Sequence, residues 1–526
     1  MGARIRTLDA DRPYASAVAL KSGMIVAVGS DAEIAALSGS ATERIDLHGA
    51  AVVPGLNDSH THALPNAGMR GLDLSGARSL DEIRAAVAQE RMRCGGESWV
   101  FGWGLDYNAF AGTGIGGELI DEAGREAPTL LRFMDFHTAV ASPGALMRAG
   151  IDGPQTFDSN AEIVCRDGRP TGELREAAAI ELLQEAAPAV TPDELYEMAV
   201  ANLRRMAAVG LTGTHLMGGT LSTHGTLRAL ESNGHLVLRC VAPFWIHPDT
   251  PAEEWSEYLN HRDASGRLWR AGVAKFFIDG VIDSGTGWLF EPDSEGKGTS
   301  PFWPDPTHYR ERVAEFAGRG FQCVTHACGD RAVHEALEAY RSAPAAGTVR
   351  HRIEHIETIQ ERDLPRFAAE GVTASMQAQH MMWLSPDRSD NWSRRLGQER
   401  CSRAFPLKRL LESGALLTLG SDWPVASFDP REGMAAARLR RPPRQRTREP
   451  YDDQAIDGLS ALKGYTVWAA QAVGQGHLQG RISPGLWADL TIFAEDPVEC
   501  EADDLPEVPV LMTIVDGAIV HRAPSV

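Results

Sequence analysis

Short apolar segments alternate with helical stretches along most of this chain, and this alternation restricts the possible folds more than any other feature. Eight segments have the length and apolar character of buried strands: 51–59, 211–216, 236–244, 273–279, 321–326, 351–355, 372–377 and 415–420. Helical patterns lie between them, for example from Pro192 to Val209 and from Tyr309 to Arg319. Strands that alternate with helices build parallel sheets. Eight such units predict an α/β fold, a (β/α)8 or TIM barrel.

The remaining segments predict two additions to this barrel. The gap after the first strand is too long for one crossover, so it predicts an insertion over the barrel mouth. Both chain ends alternate like short strands, and Asp516-Gly517 is a strong hairpin signal. We therefore predict a composite β-sandwich domain from residues 1–52 and 481–526. The barrel is expected to span 53–480, including an insertion at about 95–185.

The composition excludes several classes of partner. The chain has 526 residues and a formal net charge of -20, which argues against nucleic acid or an anionic membrane as a main partner. It has neither a secretory signal nor an apolar run approaching the roughly 20 residues that span a bilayer. Its seven cysteines lack paired spacing and are expected to be reduced thiols. These features predict a cytoplasmic protein with a small-molecule substrate, and they leave a homodimer open.

Histidines and other polar residues stand where the predicted strands end. His60 and His62 follow the apolar run 51–59, and two imidazoles that share one face of a strand can hold a divalent metal. Taken alone, two histidines at this spacing are more often structural. Further candidate ligands occupy later strands: Lys275 in the fourth, His326 and His355 at the ends of the fifth and sixth, and Asp422 at the end of the eighth. A (β/α)8 barrel places its active site at these carboxyl ends.

These segments, in this order, resemble a known family. The chain is similar to the metal-dependent amidohydrolase superfamily and, within it, to the amidohydrolase 3 (YtcJ-like) family, over nearly its whole length. The matching segments are Pro54-Gly55-Leu56-Asn57-Asp58-Ser59-His60-Thr61-His62, Lys275 with Asp279-Gly280-Val281-Ile282-Asp283, Thr325-His326-Ala327, Arg352-Ile353-Glu354-His355, Gly420-Ser421-Asp422-Trp423-Pro424-Val425, Ala488-Asp489-Leu490 and Ile514-Val515-Asp516-Gly517.

The resemblance implies a binuclear site with two divalent metal ions, for which zinc is the default. In this arrangement His60, His62 and Asp422 hold one ion. His326 and His355 hold the other.

The bridge between the two ions has two candidates. Lys275 stands where many relatives carry a lysine that CO2 converts to a carbamate, and a bare lysine would repel metal ions. Glu176 could bridge without modification; otherwise it would contact substrate from the insertion. The position of Lys275 in the fourth strand favours the lysine.

The implied activity is hydrolysis of a non-peptide C–N bond of the amide type. A hydroxide held between the metals would attack the carbonyl, and Asp422 would shuttle the proton as general base and then acid. Esters, lactones or carbamates could react by the same steps. A catalytically silent, amidohydrolase-like regulatory protein is a third interpretation, and the complete ligand set counts against it.

Four further residues are candidates for contact with substrate: His137, His215, His380 and Trp423. His215 and His380 end the second and seventh predicted units near the barrel mouth. His137 lies in a segment that resembles a family motif, although Ser142 stands where relatives often carry asparagine. Trp423 could shape an apolar pocket, yet a single tryptophan is more often part of the core.

Overall fold

The computed structural model describes residues 1–64, 69–95, 97–121, 127–158, 160–344 and 350–524. The strands are β1 (Arg4–Arg6), β2 (Tyr14–Ala15), β3 (Ala17–Lys21), β4 (Met24–Gly29), β5 (Ala51–Pro54), β6 (Leu56–Thr61), β7 (Leu72–Asp73), β8 (Val100–Leu105), β9 (Thr129–Phe133), β10 (Thr138–Ala141), β11 (Glu162–Arg166), β12 (Arg169–Arg175), β13 (Leu211–Leu216), β14 (Arg239–Ile246), β15 (Trp269–Phe277), β16 (Gln322–Ala327), β17 (Arg352–His355), β18 (Thr373–Met376), β19 (Leu416–Leu419), β20 (Leu490–Phe493), β21 (Val510–Val515) and β22 (Ala518–Arg522).

The α-helices are α1 (Asp31–Ala35), α2 (Leu80–Cys94), α3 (Gly117–Ile120), α4 (Pro143–Arg148), α5 (Glu176–Gln184), α6 (Pro192–Ala208), α7 (Leu221–Ser232), α8 (Ala252–Asn260), α9 (Pro306–Gly318), α10 (Asp330–Ser342), α11 (Leu364–Ala369), α12 (Asn391–Leu396), α13 (Gln398–Cys401), α14 (Leu407–Glu412), α15 (Pro430–Leu439), α16 (Gly458–Tyr465) and α17 (Val467–Ala472). Short 3-10 helices cover Tyr107–Phe110, Glu361–Asp363, Ala378–Trp383 and Leu505–Glu507. None of the helices in the described ranges is both long and apolar enough to cross a membrane.

Eight parallel strands form the predicted barrel. Their order is β19-β18-β17-β16-β15-β14-β13-β6. The sheet closes on itself beyond the last strand, where the Asp422 N–H donates to the His60 carbonyl at 2.7 Å and the His62 N–H donates to the Trp423 carbonyl at 2.8 Å. Several of these strands are buried along their whole length, as β6 and β16 are, because helices cover the outside and side chains fill the interior. The barrel prediction is confirmed.

The segment predicted as one first strand is two strands in the structure. β5 pairs with β1 and β20 in a terminal sheet, and β6 enters the barrel. The break falls at Gly55, whose N–H donates to the Asp489 carbonyl at 2.8 Å. A Cβ at Gly55 would overlap the side chain of Thr212, so only glycine lets the chain pass this closely from one sheet to the other.

Both chain ends build the terminal sheet, as predicted. Its order is β2-β1-β5-β20-β21-β22, and the β3–β4 hairpin is a separate two-stranded sheet. Apolar residues of both ends share one core cluster, among them Ile5, Ile25, Leu490 and Ile514. The boundaries 1–52, 53–480 and 481–526 stay predictions.

A further six-stranded sheet is inserted after the first barrel strand. Its order is β11-β12-β10-β9-β8-β7, so it begins at Leu72, ahead of the predicted start near residue 95. β7 has only two residues, which is too short to carry a pattern in the sequence. Helix α5 follows β12 directly and packs Ala179, Ile180 and Leu183 on this sheet. The inserted unit carries its own cores and meets the barrel mouth with α5 and with the β9–β10 turn.

Candidate functional site

A cavity of about 310 Å³ lies where the carboxyl ends of the barrel strands meet the inserted sheet. This volume is at the small end of the range for ligand pockets. The barrel contributes His60, His62, Lys275, His326, His355 and Asp422 to the cavity wall, and the insertion contributes Arg132, Asp135, His137, Glu176, Glu181 and Gln184. The six predicted ligands therefore face one space, although 362 positions separate the first from the last.

Three of the histidines around the Asp422 carboxylate are candidate metal ligands. His60 Nε2 and His62 Nε2 each lie 3.3 Å from Asp422 Oδ1, and His355 Nδ1 lies 3.9 Å from Oδ2. His60, His355 and Asp422 are buried, and one donor atom from each lies within 4.8 Å of the others. Imidazole nitrogens and a carboxylate in one buried cluster are a donor set that suits zinc and similar divalent ions.

The orientation of His60 is fixed from behind. Its Nδ1 lies 2.7 Å from Glu354 Oε2, which leaves Nε2 towards Asp422. Burial alone would raise the pKa of Glu354. Arg352, which donates to Glu354 at 3.0 Å, and His60 outweigh this effect, and the pKa falls to about 2. A carboxylate that accepts the second N–H of a histidine is the usual outer support of a metal ligand.

His326 and His355 form the other side of the cluster. Their ring centroids are 4.4 Å apart, because His355 lies opposite Ala327, the residue after His326, in the β16–β17 register. His326 Nε2 lies 3.0 Å from the Gly280 carbonyl. A carbonyl only accepts, so Nε2 carries the proton and the lone pair of His326 Nδ1 is free for a metal.

Lys275 faces the same cavity from β15 and is fully buried. Its Nζ has no hydrogen-bond partner among the described residues. Burial lowers the pKa of Lys275 to about 8, against the opposing effects of Glu354 and Asp422. An amine that gives up its proton readily can react with CO2, so both the position and the environment suit a carbamate.

Glu176 and His137 project from the insertion as a pair. His137 Nδ1 lies 2.7 Å from Glu176 Oε2, while Glu176 Oε1 is buried without a partner among the described residues. Burial by itself would lower the pKa of His137, but the carboxylates of Glu176, Asp135 and Asp422 together outweigh it and raise that pKa to about 9. The His137 ring lies 5.1 Å from that of His326. This places the pair beside the candidate ligands.

The backbone is strained at three of these positions. Glu176, His355 and Asp422 have φ of +63°, +74° and +57°, in the left-handed region that non-glycine residues rarely adopt. Hydrogen bonds hold two of them there: the Glu176 N–H donates to the His137 carbonyl at 2.6 Å, and the Asp422 N–H donates to His60. Strain of this kind costs about 1–3 kcal/mol per residue and collects at functional sites.

The four candidate substrate contacts fall in different places. His137 and His380 line the cavity, and His380 Nε2 lies 3.8 Å from Asp422 Oδ2. His215 lies behind the wall, where its Nδ1 is 3.0 Å from an Arg352 nitrogen, and Trp423 packs against Phe428. Neither His215 nor Trp423 is among the residues that line the cavity.

Several cavity residues were not predicted from the sequence. Glu357 stands two residues after His355, a spacing that could have drawn attention to it, and accepts from Trp392 Nε1 at 2.7 Å. Burial raises the pKa of Glu357 to about 7. Asp135 stands in the motif-like segment of His137 and was not singled out, whereas Arg132 carries no motif and only the fold of the insertion brings it to the cavity.

A second group with metal-ligand chemistry, formed by Asp279, His326 and Cys328, is better explained as structural. Asp279 accepts backbone N–H groups from Trp288, Cys328 and Gly329 at 2.8–3.1 Å, so its carboxylate joins three loops. Burial raises the pKa of the Cys328 thiol, which therefore stays protonated. The same His326 nitrogen already donates to Gly280.

Comparisons with known proteins find relatives that match nearly the whole chain. One relative is the N-substituted formamide deformylase of Arthrobacter pascens, 28% identical over 99% of this chain and 97% of that protein. Another is the protein LONG AFTER FAR-RED 3 of Arabidopsis thaliana, 30% identical over 98% of this chain and 89% of that protein.

Among solved structures, an uncharacterised metal-dependent hydrolase from Pyrococcus horikoshii OT3 has the same fold, with a TM-score of 0.72 and 22% identity over 95% of this chain and 98% of that one. The family model described as "Amidohydrolase family" matches residues 43–521. The resemblance drawn from the strand-end motifs is confirmed, and the chain belongs to the amidohydrolase family, an enzyme family that hydrolyses carbon–nitrogen bonds other than peptide bonds.

Proposed function

We propose that this enzyme is a metal-dependent hydrolase of a small amide, and that it cleaves the C–N bond in the cavity between the barrel and the insertion. The observation that carries the proposal is the cluster of buried His60 and His355 and half-buried His62 around the Asp422 carboxylate, at 3.3–3.9 Å. Polar and charged side chains packed together away from water are costly to build unless the cluster binds something.

The donor set fits two divalent metal ions, with zinc as the default choice. His60, His62 and Asp422 would hold one ion, and His326 and His355 would hold the other. Lys275, as a carbamate, is our candidate for the bridge, because its buried Nζ has no partner in the described part of the chain. Bound metals of this kind polarise a carbonyl and lower the pKa of water towards 7.

The protein's own groups then move the proton. Asp422 would accept the proton of the attacking water at a carboxylate oxygen and return it to the leaving nitrogen, as general base and then general acid. Arg352 and Glu354 keep His60 in one orientation, and His215 supports Arg352 from behind. His137 and Glu176 face the space above the cluster, where a substrate carbonyl or leaving group would lie.

The cavity suits a small substrate with an apolar part. Met134, Phe136, Trp245 and Phe302 line it together with the polar groups. The relative named as an N-substituted formamide deformylase supports formamides and related N-acyl compounds as the first class to try. Rings near a metal cluster give an N-substituent apolar surface to contact.

The experiment is a hydrolysis screen by mass spectrometry with zinc-loaded enzyme. N-formyl, N-acyl, carbamate and cyclic amide compounds are tested beside ester and lactone analogues of matched shape. We expect amides to be hydrolysed, activity to disappear on chelation and to return with zinc. The His355→Asn variant is the control for contaminating hydrolases, and it should lose activity in parallel with metal content.

Other results would replace the proposal. Turnover of esters or lactones without any amide would make this enzyme an esterase or lactonase at the same site. A preparation that holds two metals and hydrolyses nothing in the screen would favour the regulatory interpretation.

A further inference from the structure

Arg132 is a charged residue on the cavity wall for which neither the fold nor the proposed chemistry accounts. It lies on β9 of the insertion and lines the cavity. Its guanidinium makes no hydrogen bond or ion pair with any residue that the structure describes, and its Nε is buried. Its recorded contact is with the ring of Phe136, whose centroid lies 5.9 Å from the guanidinium carbon.

The position of Arg132 in the sheet makes an arginine unexpected. Leu130, two residues earlier on the same face of β9, belongs to the apolar core between the sheet and α5. In the register, Arg132 lies opposite Ala139, and Ala139 lies opposite Leu174 on the next strand. Both neighbours are fully buried and apolar, so the sheet offers the guanidinium no acceptor. An apolar residue would continue this core, whereas the arginine turns the end of that face into a cationic wall of the cavity.

The electrostatic surroundings leave the charge of Arg132 largely unmatched. Burial lowers its pKa to about 10, and Glu181 opposes this effect. Glu181 lies on α5 and also lines the cavity. Within the described residues it forms no ion pair with Arg132, so its carboxylate is more than 4.0 Å from the Arg132 nitrogens. Arg132 therefore stays charged at neutral pH without a bound partner, which is a costly state for a half-buried cation.

We propose that Arg132 is a specificity-determining residue that binds a carboxylate of the substrate, so that the preferred substrates are small amides bearing an anionic group. This rests on the proposed function, because it names the substrate class of the same site. The planar guanidinium suits a carboxylate, which it can bind through two parallel hydrogen bonds. Gln184, one turn beyond Glu181 on α5, lines the same cavity.

The acidic residues of the cavity do not oppose such a substrate. Asp422 and Glu176 belong to the metal-binding and proton-handling groups, where bound cations would offset their charge. Three other carboxylates of the wall already accept hydrogen bonds from neighbouring side chains: Glu357 from Trp392 at 2.7 Å, Asp283 from Asn391 at 3.5 Å and Asp135 from Tyr107 at 2.8 Å. Glu181 is the acidic group that acts on Arg132 itself, and it is exposed to solvent, where its effect is screened.

The test compares two probes that differ only in charge: N-formyl-phenylalanine and N-formyl-phenylalaninamide. The measured quantity is kcat/KM for N-formyl-phenylalanine, the carboxylate, divided by kcat/KM for N-formyl-phenylalaninamide, the neutral probe. Loss of a hydrogen bond to a charged group corresponds to about a 10–100-fold change, so Arg132→Gln should lower this ratio by that factor. Arg132→Lys should restore part of the ratio. Glu181→Gln removes an acidic side chain from the same wall and should leave the preference for the carboxylate in place.

A binding measurement separates this inference from the proposed function. Calorimetry with 3-phenylpropanoate and 3-phenylpropanamide needs no hydrolysis. Arg132→Gln should weaken the binding of 3-phenylpropanoate and leave the binding of 3-phenylpropanamide unchanged. If wild-type enzyme binds the carboxylate and the variant binds it equally well, the anion is held elsewhere, for example by the metals, and the inference is wrong. Equal binding of both probes by the wild type would also overturn it. Failure of the proposed function would appear differently, as absent hydrolysis of both amides while Arg132 still discriminates between the two ligands.

Discussion

Asp422 combines three properties that a packing residue would not have. Its backbone is left-handed, its carboxylate faces His60, His62 and His355, and the surrounding histidines lower its pKa well below the usual range despite burial. A carboxylate that remains ionised inside a wall of imidazoles can serve as a ligand and as a proton acceptor. These two roles can be separated, because an asparagine oxygen can still ligate but cannot take up the proton.

We predict that Asp422→Asn lowers kcat by about 10²–10⁴-fold while bound metal changes little. Steady-state kinetics check the loss of kcat, and elemental analysis of the same preparation checks the metal content. Asp504→Asn is the control, since Asp504 lies in an exposed ion pair with Arg446, and it should match the wild type. An Asp422→Asn enzyme with metal and most of its activity would show that the proton moves through another group.

The proposed bridge between two metal ions can be assigned by a matched pair of variants. If the carbamate of Lys275 bridges, Lys275→Met should weaken metal binding by more than about 100-fold, because loss of even an outer partner costs 10–100-fold. Glu176→Gln should keep its metals and lose kcat/KM. Metal titrations and intact-mass measurement of the CO2 adduct check this. The reverse result, with metal lost from Glu176→Gln and retained by Lys275→Met, would make Glu176 the bridge.

At the scale of elements, the site depends on a close approach between the insertion and the segment that follows β15. Gly280 lies in this segment, and a Cβ there would overlap Glu176 Oε1 and Thr286 Oγ1. The carbonyl of the same glycine accepts from His326 Nε2 at 3.0 Å. One residue without a side chain thus allows the glutamate and the histidine to share this space.

Gly280→Ala should therefore displace the Glu176 carboxylate and lower kcat/KM by at least about tenfold, since misplacement by about 1 Å can cost 10²-fold. Kinetics beside a thermal unfolding curve check this, because the chain should still fold. Gly225→Ala, in helix α7 where a Cβ meets nothing within 4 Å, is the matched control and should be neutral or stabilising. Full activity in Gly280→Ala would mean that Glu176 has no fixed role.

Sequence patterns predict elements well where burial is continuous and poorly where pairing is distant. The barrel strands are buried on both faces, so they read as apolar runs whose polar ends stand out, as at His326. The two-residue strand β7 and the pairing of β10 with β12 have no such signal. Arg132 was missed for the same reason, since the fold of the insertion alone decides which face of β9 meets the cavity.

At the scale of the whole molecule, the two ends of the barrel carry different tasks. The candidate ligands occupy the carboxyl ends of the strands, and the terminal sheet is joined to the amino ends. Arg239, the first residue of β14, makes this connection: its Nε lies 2.6 Å from Asp489 Oδ2 and its Nη2 lies 3.1 Å from Asp516 Oδ1. In barrels of this type the amino-terminal face generally serves stability, and the carboxyl-terminal face generally carries the chemistry.

Arg239→Met should therefore destabilise the protein by about 3–5 kcal/mol, because it leaves Asp489 as a buried carboxylate without its cation. Burial raises the pKa of Asp489, and the hydrogen-bonded charge of Arg239 opposes that rise. Urea unfolding checks the stability, and kcat measured well below the transition should stay within about twofold of the wild type. Arg446→Met, which breaks the exposed pair with Asp504, should change stability by less than about 0.5 kcal/mol. A large loss of kcat in folded Arg239→Met would show that the two ends of the barrel are coupled.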